Sequence, residues 1–163
     1  MLEIGVFVPS NLSKESFEIV SERLDDFIEK AEVHISFYRT SDIELLKYLL
    51  HLEEELLEKV HIHIFSNIRL LDNEVEDVIK FLAQKGLVYK EHLLPKNEQG
   101  ESGKSYYDLF LREMLRECDE VVSFSVSDVN QISKIYRPLD IAKEHFKEIF
   151  EVELDDGGKI KKL

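Results

Sequence analysis

Two groups of side chains in this sequence are of the types that chemistry needs. The first is a set of short polar segments, each placed just after an apolar run: Pro9-Ser10-Asn11, Arg39-Thr40-Ser41-Asp42, Ser66-Asn67-Ile68-Arg69 and Ser125-Val126-Ser127-Asp128. Hydroxyls and amides meet sugar, arginine meets phosphate, and backbone N–H groups at helix starts favour anions, so together they suit a sugar-phosphate ligand. Ser10, Asn11, Arg39, Ser41, Ser66, Asn67, Ser127 and Asp128 are the candidate ligand-binding residues. Asp42 or Asp128 is the candidate acid/base should a reaction occur. Ser, Thr, Asn and Asp are also the residues that cap helices, so capping alone would account for them.

The second group is histidine. His61 and His63 form an H-x-H that alternation puts on one strand face, and His34 lies on another strand. If those strands are neighbours, three imidazoles come within metal-binding reach. No Cys or carboxylate pattern accompanies them, and neither H-E-x-x-H nor C-x-x-C occurs, so no metal and no other cofactor is expected. Gly100–Ser105, GESGKS, ends like a Walker A loop, but Glu98 stands where that motif needs its first glycine. A solvated surface loop is the favoured reading; a phosphate cradle at Gly103, Lys104 and Ser105 is the other. Cys118, the single cysteine, reads as a small buried hydrophobe. G-x-S-x-G and an early G-x-G-x-x-G are both missing, which counts against a serine hydrolase and a standard dinucleotide enzyme.

The elements that must position these residues follow from periodicity. Apolar or alternating runs at Glu3–Pro9, Val33–Arg39, His61–Ser66, Leu87–Leu94, Glu120–Val126 and Ile149–Leu154 read as strands. The mixed polarity of Leu87–Leu94 suits a sheet edge. Helical periodicity runs from an Asn11 or Ser13 cap to Lys30, from Thr40-Ser41-Asp42 to Lys59, over Leu71–Gly86, over Ser105–Glu117, and over Gln131–Phe146 with a break at Pro138. Strands alternating with helices at this rhythm indicate βαβ units. The expected fold is α/β: a single doubly wound Rossmann-like domain over residues 1–154, with a mostly parallel sheet of five to six strands and helices on both faces. Asp155-Asp156-Gly157-Gly158 then begins a C-terminal hairpin or tail over 155–163.

Composition bounds the function. A net charge of −13 and a pI near 4.9 exclude a general nucleic-acid binder, because phosphate neutralisation needs a basic surface. No apolar run reaches the roughly 18 residues of a membrane span, and no signal-peptide pattern opens the chain. With one cysteine and no possible internal disulfide, a reducing cytoplasm is the expected compartment.

Several pieces of the chain carry a family likeness. They are the apolar first strand ending in Pro9-Ser10-Asn11, Leu94-Pro95 before a polar loop, the Tyr106-Tyr107 helix, the Cys118-Asp119-Glu120-Val121-Val122 strand entry, and Asp140-Ile141-Ala142-Lys143. In these the chain resembles the SLOG-type Rossmann-like superfamily, which includes the lysine-decarboxylase-like phosphoribohydrolases and the DprA-like proteins. The resemblance implies binding, or N-glycosidic cleavage, of a nucleotide-like ligand. The P-G-G-x-G-T phosphate loop of that group is replaced here by Ser125-Val126-Ser127-Asp128-Val129-Asn130, which removes its most specific motif.

The function expected is therefore binding of a nucleotide or other phosphorylated small molecule at the carboxyl rim of the sheet, with N-glycosidic hydrolase activity weak or lost. The alternative is a non-catalytic interaction or assembly protein. Leu45, Leu49, Leu52 and Leu56 with Leu46, Leu50 and Leu57 make the second helix apolar over a wide arc, which would suit a homodimer.

Overall fold

The computed structural model describes residues 1–9, 12–37, 43–65, 73–92, 110–126, 141–144 and 148–163. Its centre is one seven-stranded sheet. In chain order the elements are β1 (Glu3–Phe7), α1 (Lys14–Lys30), β2 (Glu32–Phe37), α2 (Ile43–Leu49), α3 (Glu54–Leu57), β3 (Val60–Phe65), α4 (Asn73–Gln84) and β4 (Val88–His92). Then come α5, of which residues 110–115 are described, β5 (Glu120–Ser125), α6 (residues 141–144), β6 (Glu148–Glu153) and β7 (Lys159–Lys162). The strand order is β4-β3-β2-β1-β5-β6-β7, parallel throughout except for antiparallel β7. The fold class is thus α/β with a mostly parallel sheet, and the strand count is seven rather than five to six.

The extra strand follows from local chemistry. A 3-10 turn at Leu154–Asp156 leads into Gly157 and Gly158, both at positive φ, which only glycine adopts without strain. The chain reverses there, and Lys161 settles between Glu153 at 2.6 Å and Glu151 at 3.3 Å on β6. Arg23 of α1 donates to the Gly158 carbonyl at 2.6 Å, which ties the hairpin to the first helix.

Strand alternation sorts the core into two layers. Ile4 and Val6, Val33, Ile35 and Phe37, and Val60, Ile62 and Ile64 face a layer built from α1 to α4, with Val20, Leu24, Ile28, Leu46, Leu49, Leu57, Ile79 and Leu82 at its heart. Phe7, Val121 and Ile149 face the other way and pack with Phe110, Leu111, Met114 and Leu115 of α5 and Ile141 and Ala142 of α6. Ser13 caps α1, its hydroxyl accepting from the Ser16 amide at 3.1 Å, and Gly86 stops α4 at φ 115°.

The long helix expected up to Lys59 is two helices. His51 and Leu52 close α2 with bonds to the Tyr48 and Leu49 carbonyls, and extended Glu53 restarts the chain as α3. The break lets Leu57 reach full burial beside Leu46 and Leu49, while Leu50, Leu52 and Leu56 are half-buried against the same core. The wide leucine arc is therefore used within the chain. Leu87–Leu94 does meet the sheet edge: β4 is its outermost strand, with Val88 and Tyr89 exposed. Among the described residues no helix is long and apolar enough to cross a membrane.

Candidate functional site

The residues predicted at the carboxyl rim, Ser10, Asn11, Arg39, Ser41, Asp42, Ser66, Asn67, Ser127 and Asp128, lie outside the described residues, as does the GESGKS loop. The strands that lead into them are described. β1, β2, β3 and β5 run parallel, so their ends at Phe7, Phe37, Phe65 and Ser125 share one edge of the sheet. Between β1 and β5 the strand order reverses, with Phe7 opposite Ser123. Ser123 is fully buried, and among the described residues its hydroxyl has no hydrogen-bond partner.

His34, His61 and His63, by contrast, are described, and His34 and His63 are buried. β2 and β3 are neighbours with His34 opposite His61 and Ser36 opposite His63. Period-2 alternation puts all three imidazoles on the face opposite Val33, Ile35, Val60 and Ile62. His34 and His61 stack with ring centroids 4.5 Å apart and planes 14° apart. His34 and His63 are buried and joined by a 2.8 Å hydrogen bond between Nδ1 of the first and Nε2 of the second. His34 Nε2 lies 3.0 Å from a Glu3 carboxylate oxygen, and His61 Nε2 lies 3.0 Å from Glu32.

These contacts determine the tautomers. An ionised carboxylate only accepts, so His34 donates through Nε2 to Glu3, and its Nδ1 receives the Nε2–H of His63. Burial lowers the His34 pKa below 6.5, with neighbouring His61 acting in the same direction and the Glu3 hydrogen bond and the charges of Glu3 and Glu117 opposing. His34 thus sits in the core as a neutral imidazole with a directed lone pair.

A carboxylate arrives over this pair from a distant part of the chain. Glu117 Oε2 lies 3.6 Å from His34 Nδ1 and 3.7 Å from His63 Nε2, and Glu117 Oε1 lies 3.9 Å from Lys90 Nζ on β4. Glu117 is half-exposed, so solvent reaches the cluster from its side. Two local features put it there. Gly5, opposite His34 on β1, has no side chain, and a Cβ on it would stand 3.0 Å from Cys118 Sγ. The end of α5 can therefore descend onto β1. Next along, the Asp119 amide donates to the Glu3 carbonyl at 2.8 Å, and Asp119 Oδ2 accepts from the Glu3 amide at 3.0 Å. Cys118 seated over Gly5 and Asp119 clamped to Glu3 leave Glu117 aimed at the histidines.

Sequence reasoning singled out His34, His61 and His63 but not Glu3, Glu32 or Glu117. Glu3 opens the first strand read from the sequence, and Glu32 stands just before the second, which was read from Val33. Glu117 had only one signal, its place just before the strand-entry Cys118-Asp119. The arrangement can hold a proton along Glu3, His34 and His63, and it presents two imidazole nitrogens and one carboxylate oxygen toward a common point.

A double-mutant cycle measures the buried contact. His34→Leu and His63→Leu should each cost about 1–3 kcal/mol, because each strands a buried partner. The double variant should cost less than the sum by more than about 0.5 kcal/mol in urea unfolding. Additive losses would show that the 2.8 Å contact carries no coupling.

In comparisons with family models, curated proteins and solved structures, none matches this chain.

Proposed function

We propose that this chain is a single doubly wound Rossmann-like domain, related to the SLOG-type superfamily and working in the cytoplasm. In this reading it binds a nucleotide or other phosphorylated small molecule at the carboxyl rim of its sheet, with N-glycosidic hydrolase activity weak or lost. The observation that carries the reading is the reversal of strand order between β1 and β5. In open parallel sheets the two connections leaving such a point diverge to opposite faces, and the crevice between them takes the ligand. Ser10 and Asn11 follow β1, and Ser127 and Asp128 follow β5. The buried hydroxyl of Ser123, without a partner among the described residues, adds a polar group on the same strand pair. Arg39 and Ser41 after β2, and Ser66 and Asn67 after β3, extend the rim; an arginine there would take phosphate while hydroxyls and amides take sugar. Asp42 and Asp128 are the groups that would move a proton in any reaction.

The assembly reading has less support, since Leu45, Leu46, Leu49 and Leu57 are buried within the chain.

A thermal-shift panel of nucleotides and sugar phosphates tests the proposal. A ligand present at a hundred times its Kd should stabilise by about 2.7 kcal/mol, raising Tm by roughly 5–10 °C in a chain of this size. Arg39→Ala should remove most of that shift and leave the ligand-free Tm unchanged. No stabilisation by any member at millimolar concentration would end the reading.

A further inference from the structure

We propose that His34, His63 and Glu117 form a binding site for a divalent transition-metal ion of the zinc class, separate from the carboxyl rim and independent of any ligand bound there. The three donor atoms are His34 Nδ1, His63 Nε2 and Glu117 Oε2, and they form a triangle with sides of 2.8, 3.6 and 3.7 Å. The point equidistant from its corners lies about 2.0 Å from each, matching zinc–imidazole and zinc–carboxylate bond lengths. No large rearrangement is required. The ion displaces the Nε2 proton of His63, and that ring shifts to its Nδ1–H tautomer and stays neutral, so each imidazole offers a lone pair at its donor nitrogen.

The surroundings fit the same reading. A metal-ligating histidine usually donates its other ring N–H to a carboxylate, which fixes its tautomer and raises its basicity. His34 does this through Nε2 to Glu3 at 3.0 Å. Glu117 binds through one oxygen while its other faces Lys90 at 3.9 Å, so the remaining carboxylate charge is also met. His61, stacked on His34, walls the site on the β3 side without belonging to the donor triangle. Two neutral imidazoles and one carboxylate favour zinc and its first-row neighbours over magnesium or calcium, which demand oxygen. Three protein ligands leave a fourth position, and the half-exposed Glu117 gives water a way to it.

These residues come from three separate elements, and a stability role alone does not explain why two of them are histidines at 1% exposure, when Ser123 is the one other polar side chain buried among the described residues. An apolar pair there would avoid the desolvation cost of two imidazoles.

The test uses the full chain, stripped with a chelator and dialysed, then titrated with zinc by calorimetry and with cobalt by visible absorption. One ion per chain is expected, with a cobalt ligand-field band and a rise in Tm. Glu117→Gln, at a half-exposed position that should not disturb folding, should lower zinc affinity by at least tenfold and alter the cobalt band. Glu3→Gln, acting on His34 from outside the donor set, should lower affinity by about tenfold to a hundredfold. His61→Ala should bind as the unsubstituted protein does. No stoichiometric binding would overturn the proposal. So would wild-type affinity in Glu117→Gln, or loss of binding only in His61→Ala.

Discussion

Phe124→Ala is expected to lower the unfolding free energy by about 3–5 kcal/mol, the usual range for emptying a buried aromatic site. Phe124 is fully buried on β5, opposite Val152 of β6, in the layer that joins the sheet to α1. β5 sits between β1 and β6, so it cannot shift toward the gap without disturbing ladders on both sides. The vacated volume should therefore collapse poorly, which puts the loss at the upper part of the range. In a chain of this length Tm should fall by roughly 6–20 °C. Phe124→Leu, which keeps most of the volume, should cost less than half as much. Equal losses in the two variants would mean that β5 relaxes freely, contrary to its central place.

Gly5→Val is expected to cost about 2–3 kcal/mol through overpacking. Backbone strain is not the cause, since Gly5 is not among the positive-φ glycines. The cause is space: a Cβ at Gly5 already meets Cys118 Sγ at 3.0 Å and Leu115 Cδ2 at 3.6 Å, and valine adds two more methyl groups. Cys118→Ala, combined with Gly5→Val, should return at least half of the lost stability by removing the sulfur. Urea unfolding of the two singles and the double reads this coupling directly. Without that rescue, the close approach of α5 to β1 would not be what limits position 5. The same substitution should weaken metal binding, because it lifts the segment that carries Glu117.

The elements themselves were legible because their signals are local. Apolar alternation in the second and third strands, a cap at Asn11 or Ser13 and the Gly86 stop depend on neighbours a few residues away; the strands are described over Glu32–Phe37 and Val60–Phe65, Ser13 is the residue that caps, and Gly86 stands at positive φ. The break between α2 and α3 was not legible. A run of good helix formers continues through it, and only burial of Leu57 beside Leu46 and Leu49 favours the interruption. β7 was half legible, since Asp-Gly-Gly signals a reversal but the pairing of Lys161 with Glu151 and Glu153 depends on β6 being at hand.

The candidate cluster divides along the same line. From the sequence came three histidines sharing one polar parity on two strands. Whether those strands were neighbours, and in what register, remained open, because parallel pairing is made by packing across long stretches of chain. The tertiary structure set His34 opposite His61 and brought Glu3 to Nε2 of His34. It also carried Glu117 over the pair, through a sulfur seated on a glycine and an aspartate clamped to the first strand. Side-chain parity is written in each strand by itself; convergence of donors from three elements exists only once the sheet is assembled and α5 has packed onto it.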